Sequence, residues 1–370
     1  MKELDENSDR LQKNDKVIEE EFLALLYKVP NIISEETPVG KDDKDNKIIR
    51  KWGTVPKFNF EPKDHIHIGE KLGLIDITKA AEISGSRFSY LKNEAALMEF
   101  ALVSYGLAVL TSEKILKKIA AKIKKNYSSK PFIAITPPVI IRPEIFKKMA
   151  RLSEEDREQR YYLAKDDLYL VGSAEHTLGP LHLNETLEES DLPLRYVGFS
   201  TCFRREAGSY GKYAKGIFRV HQFDKLEAES FALMENGESE QDFLVAIQEY
   251  LMQSLGIPYQ VAAVCSGDMG KPDYRQIDIE SWLPSQNRYL ETHSADLMTD
   301  YQSRRLNTKV IKTGGLKEFA AMNDATVFAI GRTIIAILEN YQQKDGSVKI
   351  PAVLQKYLGG RKLIKPKKPF

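Results

Sequence analysis

A chain of 370 residues, 42% hydrophobic and 29% charged, can bury one large core or two ordinary ones. Lys plus Arg number 54 against 53 Asp plus Glu, so a net charge of +1 gives no global field for nucleic acid, and any RNA contact must come from local patches. The two cysteines have no metal-ligand spacing and suit a reducing compartment. No run reaches the roughly 18 apolar residues of a membrane span and no apolar N-terminal segment reads as a signal peptide, so a cytoplasmic, membrane-free protein is expected.

In chain order, residues 1–27 read as the end of a solvated helix, with Leu11, Val17, Phe22, Leu25 and Leu26 as a thin apolar stripe. Residues 28–65 carry Pro, Gly and a charge cluster and read as a linker. Residues 66–370 read as one domain. Within it, residues 93–126 have long helical periodicity, ending in a lysine-rich turn, and such a charge run is more often a solvated face than a binding site. Seven short β-branched and aromatic runs follow, at 131–143, 167–174, 194–206, 216–231, 257–266, 276–284 and 288–295. Short connections between them, without regular alternation with helices, predict an α+β fold: an antiparallel sheet flanked by helices.

The runs at 194–206 and 216–231 form the informative hairpin. Strand alternation puts Arg204 and Glu206 on one face. On the return strand it puts Ile217, Arg219, His221, Phe223, Lys225 and Glu227 together. Such a face is either a solvated one stabilised by cross-strand ion pairs, or a site where polyphosphate lies against guanidinium and a base stacks on phenylalanine. The intervening loop, "AGSYGKYAKG", is placed to close over it. Arg332 sits among Phe328, Ala329, Ile335 and Ala336 at helical spacing, an odd setting for a charge that either snorkels to solvent or has a partner. There is no Walker-type glycine loop, zinc-ligand cluster or nucleophile elbow, so no protein nucleophile is expected, and His221 and His293 read as structural.

"CFRREAG" followed by "RVHQFDKLE" resembles motif 2 of the class II aminoacyl-tRNA synthetases, and more narrowly the seryl-tRNA synthetases. "TPVGKDDKDN", the "PP" at 137–138 as motif 1, "DLPLRYV", "WLPSQNRYLET", "TDYQSRRLN" and "IGRTIIAILENYQ" keep the family's order from about 28 to 360. The resemblance implies the class II catalytic fold and a homodimer joined at motif 1. It also implies ATP-dependent, magnesium-dependent activation of serine and its transfer to tRNA(Ser). By resemblance, Arg204 bridges the α-phosphate and the amino-acid carboxylate. Glu206 and Phe223 hold adenine, Arg219 binds the β- and γ-phosphates, Arg332 is the motif 3 arginine, and Glu291 and Ser294 are magnesium ligands. Serine selection falls to Ser173, Glu175 (α-ammonium), Glu227 and Thr326 (side-chain hydroxyl) and Asn323. The chain departs from the family at "THSADL" and "AMNDATVF", and in residues 1–27, which resemble only the end of the second helix of the tRNA-gripping arm. That short start reads as a truncation, a mis-called start or an armless relative, with weaker tRNA binding expected. Two other readings stay open: a ligase passing an aminoacyl-adenylate to a carrier protein, and a catalytically silent paralogue serving as an interaction module.

Overall fold

The computed structural model describes residues 2–207 and 216–366, so most of the loop expected to close over the hairpin, residues 208–215, lies outside the described residues. The central sheet has eight strands: β1 (Lys47–Trp52), β2 (Ile133–Ile135), β3 (Leu194–Phe203), β4 (Gln222–Ala232), β5 (Tyr259–Ala263), β6 (Arg275–Leu283), β7 (Arg288–Thr299) and β8 (Ala321–Ala329). Their spatial order is β1-β5-β6-β7-β8-β4-β3-β2. Neighbours are antiparallel throughout, as the sequence predicts, with one exception: β2 runs parallel to β3. Between residues 135 and 194 the chain makes a crossover through a small three-stranded sheet, which returns it in the same direction.

The stretch expected as a linker is more than that. Asn31 and Ser34 donate backbone hydrogen bonds to Lys271 and Tyr274, and Lys47–Trp52 supplies edge strand β1, paired to β5. Every residue of β1 is exposed, so no buried face marked it as a strand in the sequence. Strand β8 was hidden for the opposite reason: eight of its nine residues are buried, and a strand covered on both faces shows no alternation.

One face of the sheet is covered by α2 (Glu94–Leu110), α4 (Gly237–Leu255) and α5 (Ile330–Asn340). The long helical pattern at 93–126 is in fact broken into α2 and α3 (Glu113–Ala120), which meet at 69°. The break is local chemistry: Thr111 turns its hydroxyl back onto the Leu107 carbonyl at 2.7 Å and ends the first helix. Among the described residues no single helix is long and apolar enough to cross a membrane. Under α4, Arg195 and Glu240 form an ion pair with no solvent exposure at either side chain. Arg195 also donates to the Ser128 and Lys130 carbonyls and stacks 4.3 Å from the Phe243 ring centroid, so its donors are met inside the core. Residues 2–26 form α1, whose Leu11, Val17, Phe22 and Leu25 are exposed.

The registers place the site. On the β4–β8 ladder Glu227 lies opposite Thr326 and Glu229 opposite Asp324, and Asp324 in turn lies opposite Asp296 of β7. The β4–β8 register slips between Leu226 and Glu227, because Val327 is one residue too many. Val327 and Phe328 consequently both pack toward Gly106 of α2. The opposite face of these three strands is left to polar side chains, and it carries the cavity.

Candidate active site

A cavity of about 340 Å³ opens on that face. Strand β3 stops at Phe203 and β4 starts at Gln222, so Arg204, Glu206, Arg219 and His221 lie beyond the strands, not on them as alternation predicts. Glu206 takes a left-handed conformation, φ 48°, which an extended strand cannot continue through. The two arms are still joined: Arg204 N–H donates to the His221 carbonyl at 3.0 Å, and His221 Nδ1 lies 3.0 Å from the Arg204 carbonyl. His221 is thus a clamp on the Arg204 backbone. Alternation holds from Phe223 onward, and Phe223, Lys225, Glu227 and Glu229 share the cavity side of β4.

At the mouth, Arg204 donates Nε–H to the Gly172 carbonyl at 3.0 Å, with its guanidinium 5.3 Å from the Phe223 ring centroid. Arg219 Nη1 donates to Glu206 Oε2 at 3.4 Å. Arg332, at the start of α5, lies 3.0 Å from Glu291 Oε1 and 4.7 Å from the Phe218 ring centroid, so its charge has partners after all. Against the opposing pull of burial, Arg332 and then Lys225 hold the Glu291 carboxyl below the usual range. Ser294 donates to Asp296 at 2.9 Å and accepts from Gln276 at 3.1 Å. Arg204, Glu206, Arg219, Phe223, Glu291, Ser294 and Arg332 all line this one cavity.

Deeper in, Glu175 accepts a hydrogen bond from the fully buried Ser173 hydroxyl at 3.2 Å. Burial would raise the Glu175 carboxyl, but Arg151, and after it Lys225 and Arg204, outweigh it and hold it well below the ordinary value, hence ionised. Thr326 donates to Glu227 Oε1 at 3.2 Å, Lys225 is paired to the same carboxylate, and Glu227 Oε2 has no hydrogen-bond partner among the described residues. Burial raises Glu227 despite Lys225, and Lys225 stays charged because Glu227 and Glu175 overcome its own burial. One predicted residue is not brought in. Asn323 pairs with Ser230 and Leu297, and Ser230 bonds Glu240 of α4, so Asn323 faces the helices and its neighbour Asp324 faces the cavity.

Residues 159–341 match the tRNA synthetase class II core domain (G, H, P, S and T). The chain is 41% identical to a serine–tRNA ligase of Dictyoglomus turgidum over 99% of its own length and 82% of that protein. The chain belongs to the seryl-tRNA synthetase family. Among solved structures, the seryl-tRNA synthetase of Pyrococcus horikoshii complexed with ATP superimposes with a TM-score of 0.87 at 36% identity, covering 97% of this chain and 81% of that one. The cytoplasmic serine–tRNA ligase of Naegleria fowleri in complex with AMP gives 0.83 at 34%, covering 96% and 81%.

In this seryl-tRNA synthetase the sequence expectations leave out Arg151, Asp273, Asp296 and Asp324, which line the cavity, and Glu229, buried opposite Asp324. Period-two counting from Glu227 and Thr326 reaches Glu229 and Asp324, as it already reaches Lys225. Arg151 and Asp273 come from loops far apart in sequence and leave no local signal. His293 is fully buried and burial pushes its imidazole down to about 3, so it stays neutral as a core residue of this synthetase.

Proposed function

We propose that this chain activates serine with ATP to seryl-adenylate and transfers the seryl group to tRNA(Ser). The observation that carries the reading is one cavity holding three guanidinium groups at its mouth and an ionised Glu175 deeper in, beside Thr326, whose hydroxyl holds Glu227 just behind the wall. The serine carboxylate attacks the α-phosphorus, pyrophosphate leaves, and Arg204 stabilises the charge that builds on the phosphoryl oxygens. Phe223 stacks adenine beneath the Arg204 guanidinium, Glu206 bonds its edge, and Arg219 and Arg332 neutralise the outer phosphates. Glu175 takes the α-ammonium. Glu227 Oε2, lacking a partner, accepts the substrate hydroxyl, and Ser173 orients Glu175 from behind. A carboxylate is already ionised at neutral pH, so no general base is required for the first step.

Glu291 and Ser294 offer two oxygens on the phosphate side of the cavity, a donor set that suits Mg²⁺, which takes few protein ligands and completes its shell with phosphate and water. Bound there, the ion would offset phosphate charge. We further propose a cytoplasmic homodimer formed along edge strand β2, where Ile133 is 51% exposed. The test of the core reading is serine-dependent exchange of pyrophosphate into ATP, with Arg204→Ala lowering the rate by on the order of 10² to 10³. Undiminished exchange in that variant overturns it.

A further inference from the structure

Beyond the Glu227–Thr326 pair the cavity floor carries charge that serine activation does not use. One alternation step deeper, about 7 Å along the strands, Glu229 faces Asp324. Asp273 closes this end from the loop before β6. Arg151 reaches in from the opposite side, with Nε 3.3 Å from Glu175 and Nη2 3.4 Å from Asp324 and 4.0 Å from Asp273. One guanidinium therefore serves three carboxylates.

Glu229 is left over. It has no solvent exposure, and neither of its carboxyl oxygens has a hydrogen-bond partner among the described residues. Asp273 Oδ1, 3% exposed and on the cavity wall, has none either. Burial drives the Glu229 and Asp324 carboxyls well above their ordinary range, and Asp324 acts further on the first as Glu175 does on the second. A buried acid without donors is costly, and position 229 would fold more cheaply with an amide or an apolar side chain; Asp324 has only its share of Arg151. A cation entering the pocket would compensate them. A bound divalent metal does not answer the description, because among the described residues no group of three or more His, Cys, Asp or Glu side chains has the arrangement to hold one.

We propose that the amino-acid end of the cavity accepts, besides serine, short α-amino acids bearing a second ammonium on the side chain, whose charge Glu229 and Asp324 compensate. The inference rests on the serine-activation reading, since Glu175 and Arg204 hold the α-ammonium and carboxylate common to both substrates. The side-chain ammonium enters at the unpartnered Glu227 Oε2, where serine's hydroxyl would sit, and the deeper acids supply charge that a neutral hydroxyl cannot use. 2,3-Diaminopropionate is nearly isosteric with serine and isolates that difference.

The experiment is ATP–pyrophosphate exchange by the whole chain with L-serine, L-2,3-diaminopropionate and L-2,4-diaminobutyrate in parallel. At least one diamino acid is expected to reach one tenth of the serine kcat/KM or more. If both fall below that while serine is active, the inference is overturned and the serine reading stands. If serine is inactive as well, both fall. Glu229→Gln and Asp324→Asn, checked for folding by thermal melting, are each expected to lower the diamino-acid-to-serine ratio by about tenfold or more, the loss of one buried charge about 7 Å from the ammonium. An unchanged ratio in a folded variant overturns the inference. Should either fail to fold, the other variant and the wild-type comparison decide.

Discussion

Replacing Glu227 by glutamine separates the amino-acid end of the cavity from the ATP end. Glu227 is 1% exposed, holds the Thr326 hydroxyl and Lys225, and keeps one oxygen without a partner. The glutamine keeps the shape and removes the charge. A hydrogen bond to a charged group contributes about 1.5–3 kcal/mol, so kcat/KM for serine should fall roughly 10- to 150-fold. Lys225 loses its main partner but keeps Glu175, so the fold should survive with a lowered melting temperature. The KM for ATP should hardly move, because the proposed adenine contact, Phe223, lies two alternation steps away on β4. Serine-dependent exchange, run well below the melting temperature with serine and ATP varied separately, measures both. A folded variant whose serine kcat/KM stays within threefold of wild type, or whose ATP KM rises as much as its serine KM, would refute the assignment.

Arg332→Ala should lower exchange by on the order of 10² to 10³, since it removes one preorganised charge from the phosphate end; a fully active variant would leave the Glu291 pairing purely structural. Arg195→Ala should cost about 3–5 kcal/mol in urea unfolding by stranding Glu240, and Arg195→Met with Glu240→Leu should recover much of it. Asp273 is raised from 3.8 to about 6 by burial, against Arg151, so it binds a proton more tightly in the folded chain than in the unfolded one. Its contribution to stability is therefore lost as pH rises from about 4 to about 6. Asp273→Asn should gain up to about 3 kcal/mol over wild type above pH 6 and little below pH 4; a melting difference flat across that window would contradict this. Ile133→Asp on the β2 edge should turn a dimer into a monomer in light scattering, and a monomeric wild type at micromolar concentration would sink the dimer proposal.

The hairpin was legible because its charges are local: two arginines, a glutamate and a phenylalanine within one short stretch announce an anion and a ring before any fold is known. Its geometry was less so. Alternation was extended through Arg219 and Arg204, whereas Glu206 leaves the extended conformation and the strands stop short on both sides. Asn323 belongs to the expected site by family resemblance, which gives residue type but not which face of the strand meets the cavity, and a single step reverses that face. Arg151 and Asp273 were invisible because only the tertiary fold brings their loops to the strands. The edge strand β1 was hidden by its exposure and β8 by its burial, since periodicity reports a strand only when its two faces differ.

The extra residue at Val327 bears on how such a pocket can change over generations. The slip exists on the β8 side of Glu227 and is absent on the β3 side, where Glu227 and Gly198 stay in unbroken step. Deleting Val327 would remove the extra residue and leave Glu227 opposite Thr326 and Leu226 opposite Phe328, so the wall of the cavity would keep its side chains. A change of length taken up at the bulge stays on the helix side of the sheet, whereas a point substitution at 227, 324 or 326 alters one group of the pocket and leaves the arginines at the mouth untouched. Selectivity in this scaffold is therefore open to stepwise drift in side-chain identity, and a one-residue change in strand length at the bulge leaves it alone.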